Sequence, residues 1–323
     1  MKLDKIFAPV KKQLVSFDKT LEEALSSDSS LIFEVVKHIL DGKGKRLRPS
    51  LVFLCWGMCG GKSKNATKVA VAIDLIHNAT LLHDDVIDQS PTRRGKASVN
   101  CKWNNLVSIL MGDYLLSKAF KIMNQTESLE LMNDMSRATE NLTIGELRQV
   151  QEARNYQLNE KTYLKMIEDK TASLFSASCM GGGITAGAKE EQRKHLSEYG
   201  RNLGITFQIT DDVLDFIGES KKTGKGLGND LKEGKVTLPL IYTLRQAEGA
   251  TKRRIIRLLE KDFNYQDFVK ILSLVREYGG IDYAKWRAEI FGQKALSHLA
   301  GFKNSPYKQS LMDMADFAVN RDR

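Results

Sequence analysis

Residues 81–88 read LLHDDVID and residues 205–216 read ITFQITDDVLDF, so one acidic pattern occurs twice, as Asp84, Asp85, Asp88 and as Asp211, Asp212, Asp215. Both copies sit among Leu, Ile and Phe, where an isolated carboxylate is costly to desolvate. On a helix the first and last Asp of each copy, four residues apart, stack on one face. Such a pair offers oxygen ligands to a hard divalent cation, and two facing pairs would cage several cations with an anionic ligand. A solvated acidic face would explain one copy. It explains two copies in apolar surroundings poorly.

Outward from these motifs the helical period dominates. Ile6, Val10, Leu14, Phe17, Leu21 and Ala24 recur three or four residues apart and make one apolar stripe. A segment at 31–40 ends before Asp41-Gly42, another follows Pro49, and a long helix over 65–87 carries the first motif at its C-terminal end. Further helices are expected over 103–124, 127–155, 160–180, 189–217, 236–247, 251–260, 265–276, 279–300 and 306–320. No run alternates long enough to force a sheet, and no Pro/Gly/Ser-rich linker splits the chain. The expectation is an all-α fold, a single domain over residues 1–323, with a many-helix bundle around a deep central cavity that the two motifs face.

The bulk properties fit. The 323 residues contain five Pro and 42% apolar side chains, as suits a compact protein of long helices. A net charge of +9 points to an anionic partner: nucleic acid, a membrane surface or a phosphorylated small molecule. Cys55 and Cys59 share a helix face and read as packing residues; with Cys101 and Cys179 they form no CxxC pair. No signal peptide is recognised, so reduced thiols and a cytoplasmic location are expected. The uncharged window 171–188 is rich in Ser and Gly and reads as a tightly packed buried helix, not a membrane span.

Three basic clusters accompany the carboxylates. They are Gly44-Lys45-Arg46-Leu47-Arg48-Pro49, then Arg93-Arg94-Gly95, then a Gly-rich stretch from Thr223-Gly224-Lys225 to Glu233-Gly234-Lys235. Arg binds phosphate oxygens through paired hydrogen bonds and Lys acts as a movable point charge. A diphosphate bridged to carboxylates by Mg²⁺, with Lys and Arg on its remaining oxygens, needs both signs of charge in one site.

The sequence resembles the trans-isoprenyl diphosphate synthases, and among them the long-chain polyprenyl, octaprenyl-type enzymes. The resemblance is carried in order by GKRLRP, DLIHNATLLHDDVID, RRG, Lys170-Thr171, Phe207-Gln208, DDVLD and GNDLKEGKVTLPL, and it covers essentially the whole chain. It implies that an allylic diphosphate ionises, that isopentenyl diphosphate attacks the cation, and that the released diphosphate takes up the proton. It further implies all six aspartates as candidate Mg²⁺ ligands, with Asp84, Asp88 and Asp211 foremost and about three ions per loaded site. Arg93, Lys170, Lys225 and Lys235 match the cations on the allylic diphosphate. Lys45, Arg48, His77 and Arg94 match the positions that hold isopentenyl diphosphate, and Thr171 and Gln208 the polar groups near the carbocation. A homodimer is implied, as is room for a peripheral membrane contact at product release.

In that family aromatic side chains four and five residues before the first motif floor the product pocket. Here those positions are Thr80 and Ala79, both small, with Ile76 below, so products of roughly seven to ten isoprene units for quinone side chains are expected. Phe120 and Met132 are further candidate plugs. One departure is Gly226, which stands where Pro is frequent after Gly-Lys; Arg321-Asp322-Arg323 resembles endings of long-chain synthases and has no assigned role. A terpene cyclase would replace the second motif and lack GKRLRP; a non-catalytic partner subunit would lose acidic residues. A nucleic-acid binder would show a continuous basic face, whereas these cations cluster beside carboxylates.

Overall fold

The computed structural model describes residues 3–42, 44–217, 228–260 and 263–321. Its helices are α1 (Leu3–Ile6), α2 (Lys11–Leu25), α3 (Ser30–Asp41), α4 (Leu47–Met58), α5 (Asn65–Ile87), α6 (Val99–Lys102), α7 (Asn105–Asn124), α8 (Leu129–Gln151), α9 (Glu160–Ile167), α10 (Ser173–Thr185) and α11 (Glu190–Ile217). They continue as α12 (Asn229–Lys232), α13 (Leu238–Gln246), α14 (Gly249–Glu260), α15 (Tyr265–Glu277), α16 (Gly280–Ser297) and α17 (Pro306–Asn320). The fold is all-α, as the periodicity predicts.

The chain falls into two compact units. Unit 1 comprises Met1–Thr139, Leu174–Gly200 and Leu299–Asp313; unit 2 comprises Glu140–Ser173, Arg201–His298 and Met314–Arg323. In unit 1 the long helix α5 packs against α2, α4 and α7. Its sequence is apolar nearly all round, which only a helix enclosed by others can satisfy. Val69, Ala70, Val71, Ala72, Ile73, Ile76 and Ala79 are accordingly fully buried. Each fully buried Ile or Val contributes about 1.5–3 kcal/mol. α10 behaves as the Gly-rich window predicts: Gly181, Gly182 and Gly183 are buried, with Gly182 against Val52 and Cys55. Cys55 and Cys179 are both fully buried, and burial pushes the Cys55 thiol well above its ordinary range, with the neighbouring Cys179 adding to it. In unit 2 the core is drawn from α9, α11, α13, α15 and α16, with Tyr163, Ile205, Ile209, Val213, Leu240, Ile271, Val275 and Ala288 among its members. Among the described residues no helix is long and apolar enough to cross a membrane.

Two local features were not foreseen. Thr92–Arg93 (β1) and Lys96–Ala97 (β2) pair as a small antiparallel hairpin, Thr92 opposite Ala97 and Arg93 opposite Lys96. Its two turn residues, Arg94 at φ 52° and Gly95 at φ 77°, lie in the left-handed region that a two-residue hairpin turn requires. The helix expected over 160–180 is instead broken by a π-helical turn, Glu168–Ala172, between α9 and α10. Such turns recur at functional positions.

Candidate active site

In unit 1 the first motif occupies the last turn of α5, with Asp88 as its C-cap. Asp84 and Asp88 are half-buried; Asp85 is buried at 2% exposure. Arg93, delivered by the hairpin, closes on Asp85: its Nε donates to Oδ1 at 2.9 Å and a terminal nitrogen donates to the same oxygen. Asn100 donates to the Asp85 carbonyl at 3.1 Å. The sequence reading casts Asp85 as a metal ligand and Arg93 as a phosphate binder; the structure joins them as an ion pair.

The GKRLRP turn lies in the same unit. Arg46 takes a left-handed backbone (φ 53°) as N-cap of α4. Its guanidinium bridges Asp18 and Asp74, both at 3.0 Å, over the Phe17 ring. Asn78 donates to the same Asp74 oxygen at 3.0 Å. This brace fixes the turn that carries Lys45, which is exposed, and Arg48, whose guanidinium lies over Phe175. The Arg48 Nε is buried with no partner among the described residues. Burial lowers the Arg48 pKa to about 10, opposed by Asp74 and aided by Arg94. Arg94 donates to the Gly42 carbonyl at 2.9 Å. Half-buried His77 is held well below its ordinary range by burial and then by Arg48, Arg94 and Arg93, so it is a neutral imidazole among cations. An orphaned buried guanidinium donor beside a cluster of arginines is what an anionic ligand with several oxygens would satisfy.

Lower on α5, Ala79 and Ile76 are fully buried and Thr80 is half-buried, its hydroxyl bonded to the His77 carbonyl at 2.9 Å. Phe120 on α7 is exposed at 37% and Met132 on α8 is half-buried.

Unit 2 supports the second motif differently. Asp211, on α11, is exposed and meets Arg321 at 3.0 Å. Arg321 is itself buried: it lies 3.6 Å over the Phe207 ring and donates to the Phe207 carbonyl at 2.8 Å. The sequence offered no local signal for this residue, because 110 positions separate it from its partner. Asp212 is buried at 3% exposure, accepting from the Tyr163 hydroxyl at 2.5 Å and from Gln208 Nε2 at 2.7 Å. Burial and Asp230 push its carboxyl up, and these two hydrogen bonds oppose the shift. Asp215 accepts from the backbone amides of Asn229 and Asp230 at 3.1 and 3.2 Å, tying down the first turn of α12.

The π turn presents Lys170 and Thr171. Asp169 anchors it between Arg148 at 2.5 Å and Lys165 at 2.6 Å. The α8 backbone passes so close at Gly145 that any Cβ there would collide with the Lys170 backbone. Lys170 pairs with Glu146 at 2.6 Å, and the Thr171 hydroxyl donates to Gln208 Oε1 at 2.8 Å. Lys235 pairs with Glu233 at 2.5 Å. Lys225 lies outside the described residues. Among the described residues no three or more His, Cys, Asp or Glu side chains gather as a ready-made metal cage. The donors that suit a hard cation are carboxylates on single helix faces, so a metal here would need a ligand's oxygens to complete its shell.

An all-α fold with two aspartate motifs at helix surfaces, arginines around a neutral histidine, and a polar Thr–Gln pair beside one motif defines a class of enzyme. The polyprenyl synthetase family matches residues 29–275, and the chain belongs to it; it is a prenyltransferase of isoprenoid biosynthesis. It is 35% identical to the octaprenyl diphosphate synthase of Escherichia coli K12 over 100% of both chains. Its fold is similar to that of a decaprenyl diphosphate synthase from Rhodobacter capsulatus, with a TM-score of 0.93, 34% identity and full coverage of both chains. It is also similar to a polyprenyl synthase from Caulobacter crescentus solved with calcium and isoprenyl diphosphate, with a TM-score of 0.95, 32% identity, and 100% and 98% coverage.

Proposed function

We propose that the chain elongates an allylic diphosphate, of farnesyl or geranyl type, with successive isopentenyl diphosphate units to long all-trans products, octaprenyl foremost, for quinone side chains. Asp84 and Asp88 of unit 1 and Asp211 of unit 2 are the carboxylates that would hold Mg²⁺. Bound magnesium would neutralise charge on the leaving diphosphate. The calcium and isoprenyl diphosphate in the Caulobacter relative support a divalent cation with a diphosphate in this fold. Asp85 and Asp212, engaged by protein partners, orient their motifs. Lys170, Lys225 and Lys235 serve the allylic diphosphate, while Lys45, Arg48, Arg94 and neutral His77 receive isopentenyl diphosphate. Thr171 and Gln208 turn oxygens toward developing positive charge, and the released diphosphate accepts the proton.

The observation that carries this reading is the cluster of Arg48, Arg93 and Arg94 around His77, with the Arg48 Nε buried and unpartnered. Small Ala79 and Thr80 support a long product; a geranylgeranyl or farnesyl product is the alternative. The exposed apolar side chains Leu106, Ile109, Leu110 and Phe120 on α7 support a homodimer. The test incubates the purified chain with farnesyl diphosphate, isopentenyl diphosphate and Mg²⁺, and sizes the products by mass. Chains of seven to ten units are expected, and no turnover would refute the reading. Light scattering should give twice the monomer mass of 36.3 kDa.

A further inference from the structure

We infer that Tyr163 is a positioning residue for the allylic chemistry, acting through Asp212 on the side-chain amide of Gln208. This rests on the function proposed above. Three hydrogen bonds form one chain: Tyr163 hydroxyl to Asp212 Oδ2 at 2.5 Å, Gln208 Nε2 to Asp212 Oδ1 at 2.7 Å, and Thr171 hydroxyl to Gln208 Oε1 at 2.8 Å.

Direction is what this chain transmits. An amide can face a neighbour with either its oxygen or its nitrogen, and the choice is made by the groups at its two ends. A carboxylate oxygen accepts, so it holds the Gln208 nitrogen, and the Gln208 oxygen must then face Thr171. The Thr171 hydroxyl proton is drawn into that oxygen, which leaves the hydroxyl lone pairs, and one lone pair of Gln208, as the outward-facing charge. Were the amide to flip, a pair of N–H donors would face Thr171 and the local potential would change sign, which disfavours a developing carbocation.

Asp212 can fix the amide only if its own torsion is fixed. α11 supplies both Gln208 and Asp212, four residues apart on one face, so it cannot restrain the carboxylate from outside. Tyr163 does so from α9. Its side chain is fully buried at 0% exposure, within the core of unit 2, and its hydroxyl holds the second carboxylate oxygen. A Phe would fill the same volume without a polar group to desolvate, so packing gives no reason for the hydroxyl. The π turn closes the other end. Asp169, clamped by Arg148 and Lys165, holds the segment in which Thr171 meets Gln208.

The test is a double-mutant cycle read by single-turnover kinetics with farnesyl and isopentenyl diphosphates and Mg²⁺. Tyr163→Phe is expected to lower the chemical rate about 10- to 100-fold, the range for losing a buried bond to a charged group. KM for either diphosphate should shift less than about threefold, because Tyr163 meets neither substrate. In a Gln208→Leu background the same substitution should cost less than about twofold, since its effect passes through the amide that is gone. A Tyr163→Phe rate within twofold of wild type, or an equal loss in both backgrounds, overturns the inference. Should Tyr163→Phe fail to fold, Asp212→Asn is put through the same cycle with the same expectation. If neither folds, the network is core scaffolding and the inference falls. A wild-type chain that makes no prenyl product refutes the proposed function instead, so the two failures are distinct.

Discussion

The two aspartate motifs share a spelling but are held by opposite means. In the first, Asp85 is locked by a cation, Arg93, on the first strand of a hairpin; in the second, Asp212 is locked by two neutral donors, Tyr163 and Gln208. The first stands among arginines and a neutral histidine, the second beside the oxygens of Thr171 and Gln208. Under the proposed function, a charge lock suits a motif that faces anion capture. A neutral lock holds Asp212 itself without a cation, while Arg321 meets the neighbouring Asp211. Under the proposed function, the shared pattern would serve one metal chemistry while its supports divide the other work.

The largest test of this division is Asp84→Ala against Asp211→Ala. Each should lower kcat by about 100- to 10,000-fold, roughly 3–5 kcal/mol of barrier, in a steady-state assay with Mg²⁺. Retention of near-normal turnover by either variant would break the symmetry between the motifs. Next come the locks themselves. Arg93→Leu leaves Asp85 buried without its cation and should cost about 2–4 kcal/mol of stability in urea unfolding, Arg93 being itself partly exposed. Tyr163→Phe, which removes a neutral donor, should cost about 1–2 kcal/mol. Equal costs would erase the distinction between charged and neutral support.

The helices differ again four and five residues before each motif: Thr80 and Ala79 on α5, Phe207 and Thr206 on α11. Bulk thus stands ahead of the second motif only. Ala79→Phe should shorten the products seen by mass analysis, with an overpacking cost of about 1–3 kcal/mol in thermal unfolding, since Ala79 is fully buried. Unchanged products would show that Ala79 does not floor the pocket.

The smallest effect is the pH dependence that His77 lends to the helix of the first motif. His77 stands seven residues before Asp84, whereas Gly204 stands seven before Asp211. Burial and the arginines depress the folded pKa of His77 below the ordinary 6.5. The unfolded chain then binds more protons than the folded one below about pH 6.5, so stability falls as pH drops through that window. His77→Asn should remove about 1 kcal/mol of that loss at pH 5.5, read as a flatter unfolding free energy between pH 7 and 5.5.

The helices were legible because their causes are local. α5 runs over 65–87 as its apolar period and the C-terminal Asp motif predict. The π turn was not legible, because it rests on Asp169 meeting Arg148 and on Gly145 admitting the Lys170 backbone, contacts between segments more than twenty residues apart. The Arg93-Arg94-Gly95 hairpin had only its Gly as a signal, since Arg94 is a poor advertisement for a left-handed turn residue. Residue types in the motifs named the chemistry. They did not say which aspartates face inward: Asp85 and Asp212 look identical in spelling to their neighbours, and only packing separates them.

Arg321 adds a practical consequence. Its guanidinium is seated on Phe207 and against Asp211. An affinity handle inserted next to Arg321 would therefore be leashed beside an aspartate of the second motif, and a polyhistidine handle would bring its own appetite for divalent ions there. A handle placed away from Arg321 keeps that neighbourhood as the fold makes it.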